Sequence, residues 1–300
     1  RPMGLSVLTL NLWHDSGPYE SRVERIRGWI DRLDPDLIGF QEVLRADAGN
    51  DQVVELLGDR PYQIDYVEGS RYQREGSKFS PGGFGNAIAS RWPILDRETL
   101  ALPDAAAAGR APDAETRAAI SVTIDAPFGE IGFTCTHLHW RLRDSVVREK
   151  QVVALGDLAL RRRPATGFPP ILVGDFNAEP ESAEIRYVSG LQSLEGRSVA
   201  LLDAWKTAGD GGPGYTWDNT NPYADPELEP NRRIDYIFAG FPMRTGVGQL
   251  TSCRLVCNDE EGGVWPADHF GVYAEFRTDP IPGFEDLWGL VGGDDVNAER

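Results

Sequence analysis

Residues 171–177 read Ile171-Leu172-Val173-Gly174-Asp175-Phe176-Asn177. A short apolar run bounded by turn residues is the signature of a strand buried on both faces. This one breaks from apolar to acidic within a single step. A carboxylate buried at a strand end costs several kcal/mol unless it is paired, hydrogen-bonded or bound to a metal. The same kind of break recurs at Asn11 in LTLNLW, Gln41-Glu42 in GFQEV, His137 in THLHW, Asp235 in RRIDYIF and Asp268-His269 in PADHFGV. Singly, each has a structural reading. GDFN could be a strand and a turn, Asp268-His269 a strand cap, Asp235 an ion pair with Arg232 or Arg233, and Glu42 an exposed loop acid. His139 is two residues from His137 and so on the same strand face, with Leu138 turned to the core; one histidine of this pair is structural. His14, beside Trp13, reads as a satisfied loop histidine.

Working outward, Ser6 to Leu12 is a strand, Val23, Ile26, Ile30 and Leu33 keep helical spacing up to Asp34-Pro35, and Asp36 to Gln41 is a second strand. Strand, helix, strand predicts a βαβ unit with chemistry at the strand ends, where Asn11 and Glu42 fall. YQIDYV, GNAIAS, AAISVTI and IGFTCTHL are further strands. Two inserts interrupt them. Residues 68–84, basic and aromatic, read as a substrate-facing loop, and residues 103–115 as a surface excursion. Asp144 to Arg163 is an amphipathic helix whose Arg-rich end suits its dipole. RRIDYIFAG and HFGVYAEF supply two more strands. Residues 1–277 make one domain, and 278–300 an acidic tail that Phe284 and Trp288 would pin to the body.

The chain carries 47 acidic and 30 basic residues, a formal charge of −17. That field repels polyanions unless basic residues gather on one face. No apolar run is long enough for a membrane span, and no basic region followed by an apolar run marks a signal peptide. Three cysteines, Cys135, Cys253 and Cys257, form neither a CxxC pair nor an even set, which argues against a disulfide framework and favours a reducing, cytoplasmic setting. Acids, amides and only four histidines suit Mg²⁺ or Mn²⁺ better than zinc. A phosphate ester is the natural substrate of such a site, because the cation neutralises charge on the phosphoryl oxygens and acidifies a bound water.

In order, LTLNLW, GFQEV, GNAIASRWPI, THLHW, VGDFNAEP, RRIDYIF and PADHFGV resemble the motifs of the endonuclease/exonuclease/phosphatase superfamily, from about residue 5 to residue 276. The resemblance implies an α+β fold, a four-layer αββα sandwich of two mainly antiparallel sheets flanked by helices. It implies a metal-dependent phosphoesterase with Glu42 as the principal metal ligand, helped by Asn11 and Asp268. Asp175 would orient or deprotonate the attacking water, Asn177 would hold a phosphoryl oxygen, and His269, oriented by Asp235, would stabilise developing charge. His137 matches the histidine of the family's THL-type motif, and Arg117 falls where relatives place a phosphate-contacting arginine.

RRIDYIF lacks the cysteine motif of the family's inositol-polyphosphate phosphatases, while GDFNAEPES and GYTWDNTNPY resemble its deadenylase, tyrosyl-phosphodiesterase and bacterial hydrolase branches. A phosphodiester of nucleotide or short nucleic-acid type is therefore the expected partner. Tyr215, Trp217 and Tyr223, with Tyr72 and Phe79, are candidates to stack on a base, and Arg71, Arg74 and Lys78 would form a positive rim. The alternatives are a sphingomyelinase-like lipid-headgroup phosphodiesterase and an inactive relative that binds phosphorylated ligands.

Overall fold

Apolar residues alternate along the strands, and where both parities are apolar the strand must be covered on both faces. In β1 (Gly4–Asn11) Leu5 and Val7 point one way and Leu8 and Leu10 the other, all buried. The computed structural model describes residues 4–112, 114–165 and 167–284 and shows what covers them. The chain continues through α1 (Tyr19–Leu33), β2 (Leu37–Ala46), α2 (Gln52–Leu57), β3 (Gln63–Tyr72), β4 (Gly82–Ser90), β5 (Ile94–Ala101), β6 (Ala118–Ala126) and β7 (Gly129–His137). Then follow α3 (Ser145–Arg161), β8 (Ile171–Asp175), α4 (Ala183–Val188), β9 (Leu202–Asp203), α5 (Ala204–Ala208), β10 (Asp235–Ala239), β11 (Leu250–Val256) and β12 (Gly271–Arg277).

Two six-stranded sheets result, in the orders β11-β12-β1-β2-β4-β3 and β5-β6-β7-β8-β10-β9. Each carries one parallel pair, β1 with β2 and β7 with β8, among antiparallel neighbours. Leu5, Val7, Leu37 and Ile88 of the first sheet meet Ile120, Val122, Phe133, Cys135, Val173 and Ile237 of the second. Outside the first sheet, Val23, Ile26 and Ile30 of α1 and Val53 and Leu56 of α2 pack on Leu8, Leu10 and Phe40. Outside the second, Val152, Leu155 and Leu158 of α3 and Ile185 of α4 pack on Leu172, Tyr236 and Phe238. These three apolar layers between four structural ones make the αββα sandwich. The sheets pack tightly at Gly39, where an added Cβ would lie 2.4 Å from Val173 Cγ2.

The expected substrate loop at 68–84 is instead the extended end of the β3–β4 hairpin, with Tyr72 paired to Gly82. Strands β5 and β11 are absent from the sequence reading because both are sheet edges, blunted by charged and polar residues such as Asp96, Arg97, Glu98, Thr251 and Arg254. At the end of α3, Arg161 and Arg162 pair with Glu98 and Asp96 across β5. Beyond β12, Ile281 N–H donates to Thr245 O, while Trp288 lies outside the described residues. Among the described residues no helix is long and apolar enough to cross a membrane.

All three cysteines are free and buried, and burial pushes the Cys135 and Cys253 thiols up to about 12 and the Cys257 thiol upward likewise. Thiolate is the reactive form. Ellman's reagent at pH 8 is expected to label none of them in the native protein and all three in guanidinium; fast native labelling would contradict the packing.

Candidate active site

The polar residues singled out in the sequence share the parity of the layer between the sheets. Along β7 that face runs Phe133, Cys135, His137; along β8 it runs Ile171, Val173, Asp175; along β10 it runs Ala239, Ile237, Asp235. Strand register sets the three polar ends side by side, since His137 pairs with Asp175 and Asp175 with Asp235. From the other sheet, Asn11 continues the Leu5, Val7, Thr9 face. The site is thus the polar end of the inter-sheet core.

Glu42 reaches it by a different route. It was expected where a strand ends, but β2 continues to Ala46 and its pairing with β4 shifts between Phe40 and Val43. Glu42 sits in that bulge with φ 56°, a left-handed conformation that costs a non-glycine residue energy. Trp13, His14 and Asn177 share the left-handed region, so four of the eight such non-glycine residues described line one cleft.

That cleft has a volume of about 480 Å³ and is bordered by Glu42, Arg117, His137, Asp175, Asn177, Trp217, Asp268 and His269 among others. Asn11 lies just beneath, donating through Nδ2 to Glu42 Oε1 at 3.1 Å and Asp175 Oδ2 at 3.0 Å. Asn11 Oδ1 accepts from Trp13 N–H, which fixes the amide this way round. Expected as a metal ligand, Asn11 therefore presents a donor to the carboxylates and orients them. Asp175 Oδ1 accepts from Asn177 N–H at 2.9 Å.

His269 Nδ1 lies 2.8 Å from Asp235 Oδ2 and its Nε2 is 3.8 Å from Asp175 Oδ2. Burial alone would lower the His269 pKa, but the charges of Asp235, Asp175 and Asp268 and the Asp235 hydrogen bond outweigh it and hold the imidazole well above its ordinary value. Arg232 pairs with Glu229 and Arg233 with Asp203, which leaves Asp235 to the histidine. Burial and the Asp235 charge raise the Asp175 carboxyl, with His269 pulling the other way.

His137 has the opposite character. Burial, then the Arg117 and His269 charges, push its pKa well below the usual value, so it is neutral. Arg117 Nη1 stands 3.2 Å from His137 Nδ1, and a guanidinium can only donate. The single ring proton is therefore on Nε2, where Asp175 Oδ2 at 3.3 Å can accept it; Asn177 Nδ2, 3.1 Å from the same nitrogen, is itself a donor and gives a hydrogen to Leu138 O. Arg117 was expected to contact phosphate. Its terminal nitrogens are taken by His137 and by Glu115, 2.5 Å from Nη2, so it supports His137 from behind.

His139, two residues on, has a structural place, its Nε2 3.4 Å from Asp144 and its N–H on Gln151. His14 is closer to the chemistry than its reading as a loop residue implies, with Nε2 3.9 Å from Glu42 Oε2. Trp217 stands edge-on to His269 at 5.1 Å. Tyr215 does not line the cleft, Phe79 is fully buried elsewhere, and Tyr72 is engaged with Asp15. The expected positive rim is absent, because Arg71 pairs with Asp47 and Glu68, Arg74 with Asp15, and Lys78 with Glu55. Trp140, Glu115 and Phe84, which sequence reasoning passed over, do border the cleft.

The donor set fits a hard divalent cation. Asp268 Oδ1 is buried with no hydrogen-bond partner, and burial and the Glu42 charge raise its pKa against the pull of His269. Two neighbouring carboxylates with an orphaned oxygen are the environment a cation relieves. Asp175, Asp235 and His269 also place ligand atoms within 4.8 Å of one another. His269 Nδ1 is committed to Asp235 there and the ring is protonated, so Glu42 and Asp268 are the better pair.

Arg22 holds this end together. Fully buried, its guanidinium donates to the carbonyls of Leu12, Trp13, His14, Ser16 and Pro266, tying the loop after β1 to the segment bearing Asp268. Arg22→Met would strand those carbonyls at about 1–3 kcal/mol for each left unpaired. Urea denaturation should show a loss of roughly 3 kcal/mol or more; a loss under about 1 kcal/mol would contradict this role.

No curated protein matches the sequence significantly. Among solved structures, an endonuclease/exonuclease/phosphatase from Beutenbergia cavernae is 23% identical, covering 91% of this chain and 71% of that one with a TM-score of 0.69. The human Nocturnin catalytic domain with bound sulfate is 21% identical over 91% and 93% of the two chains, TM-score 0.66. D. rerio TDP2, complexed with single-strand DNA product, is 21% identical over 91% and 99%, TM-score 0.67. The Endonuclease/Exonuclease/phosphatase family profile matches residues 8–269, from within β1 to the histidine of the cleft. With every strand end that builds the site inside that match, the chain belongs to the endonuclease/exonuclease/phosphatase family of phosphate-ester hydrolases.

Proposed function

We propose that the protein is a divalent-metal-dependent phosphodiesterase acting on a substrate of nucleotide type. The observation that carries this reading is the contrast between two histidines flanking Asp175, one protonated on Asp235 and one neutral on Arg117. Support for the nucleotide class comes from the relatives, since TDP2 of D. rerio was solved with a DNA product.

Asp175 has the burial and raised basicity of a general base, and takes a proton from water as its oxygen attacks phosphorus and the P–O bond to the leaving group breaks. Beside it the neutral His137 Nε2–H and the Asn177 amide, whose nitrogens lie 3.1 Å apart, are the donors a phosphoryl oxygen would accept from. Protonated His269 faces the same place from the other side with a full positive charge. Asn11 and Asn177 fix the Asp175 carboxylate through its two oxygens. Glu42 and Asp268 would hold Mg²⁺ or Mn²⁺, which when bound supplies Lewis-acid neutralisation of phosphoryl charge.

Titration of Mn²⁺ into the protein, followed by electron paramagnetic resonance, tests the ligand assignment without a substrate. Glu42→Gln should weaken binding at least about tenfold, given that loss of even an outer-shell partner costs 10–100-fold. Unchanged Mn²⁺ affinity in Glu42→Gln and in Asp268→Asn would remove these residues from the metal site.

A further inference from the structure

Among the described residues, those lining the cleft carry no guanidinium or ammonium to spare. Arg117 is paired with Glu115, Arg232 with Glu229, and Arg148, in the groove that continues past Asn177, with Glu184. Along the same path Glu227, Glu179 and Glu181 are exposed, and none has a cationic partner among the described residues. Arg32, Arg254 and Arg277, which have no carboxylate partner among the described residues and share a cleft, are at the opposite end of β12. A polynucleotide is held by neutralising several phosphates with Lys or Arg, and this groove offers each further phosphate a carboxylate.

The wall offers something else. Trp140 is 49% exposed and borders the cleft. Its Nε1 donates to Glu115 Oε2 at 2.9 Å, and Glu115 in turn grips the arginine behind His137. The indole is thus tied to the support of the reacting centre, with the Arg141 guanidinium 5.5 Å from its ring centroid and about half of the residue exposed.

Resting on the phosphodiesterase reading above, we propose that the cleft selects a small phosphodiester with a single negative charge and a flat group that stacks on Trp140, while Glu179, Glu181 and Glu227 turn polyanions away. Like-charge repulsion of this kind acts on encounter and is screened by salt over about 10 Å at 0.1 M.

The test compares a dinucleoside monophosphate with a single-stranded 12-mer in Mg²⁺ or Mn²⁺ across a salt series. At low salt kcat/KM for the 12-mer should be at least about a hundredfold lower per bond, and should rise as salt is added. The triple variant Glu179→Gln/Glu181→Gln/Glu227→Gln should raise the 12-mer value about tenfold and leave the dinucleotide within about twofold. Trp140→Ala should raise KM for the dinucleotide about tenfold with kcat retained, and Trp140→Phe should restore it. Faster cleavage of the 12-mer than of the dinucleotide at low salt, falling as salt rises, would overturn the selectivity. Absence of hydrolysis of either substrate would contradict the phosphodiesterase reading itself. Anisotropy of a labelled 12-mer still decides the selectivity in that case: a tight complex weakened by salt overturns it, and no complex at low salt upholds it.

Discussion

Asp175→Asn should lower kcat for a phosphodiester by about 10²–10⁴-fold while leaving KM within a few-fold, the range typical of a lost general base. The carboxamide is nearly isosteric, so the hydrogen bond from Asn177 N–H to Oδ1 can persist, while its NH2 replaces the oxygen that accepts from Asn11 Nδ2. Stability should not follow activity. Burial raises the Asp175 carboxyl, so at neutral pH folding carries the cost of an ionised buried group, and that cost disappears with the charge. The loss of the Asn11 hydrogen bond offsets part of that gain, so the variant without metal should melt within a few degrees of the wild type. A variant that retained near wild-type kcat would remove Asp175 from the reaction, and one that failed to fold would point to an architectural role instead.

His269→Ala is expected to cost about 10²–10³-fold in kcat, the usual loss when a donor to developing charge is removed. The imidazolium exists because Asp235, Asp175 and Asp268 outweigh the burial that would discharge it. Asp235→Asn removes the closest of these and the 2.8 Å hydrogen bond, and should carry much of the same loss. If the two residues act as one unit, the double variant His269→Ala/Asp235→Asn is hardly worse than His269→Ala alone. Losses that multiplied would mean that Asp235 serves something other than the histidine.

Much of this centre could be read from the sequence because strand parity did the placing. Asp175, Asp235 and His137 each end an alternating apolar run, and a polar group there has nowhere to point but the end of the inter-sheet layer. The αββα arrangement followed from the order of motifs, while the apolar residues on both faces of β1 and β8 were compatible with any strand covered on two sides. Glu42 shows where local reading stops. Its left-handed bulge depends on how β2 pairs with β4, a long-range register that no single window contains. Arg117, Arg71, Arg74 and Lys78 were legible as cations, but their carboxylate partners come from elsewhere in the chain or, like Glu115, sit unremarked beside them. An expected positive rim thus became an electrically compensated one. Of the expected stacking residues, Trp217 and Tyr223 border the cleft, whereas Tyr215 lies in a loop whose path the sequence did not fix, and Trp140, which follows β7 into the cleft, was not singled out.

Hydrolysis of bis(p-nitrophenyl) phosphate and of p-nitrophenyl phosphate by the purified protein, with Mg²⁺, with Mn²⁺ and with EDTA, decides whether the cleft is a metal-dependent phosphodiesterase. Turnover of the diester should exceed turnover of the monoester, require the cation, stop in EDTA and return when the metal is restored. Diester turnover at an undiminished rate in EDTA, or cation-dependent turnover of the monoester alone, would contradict that assignment.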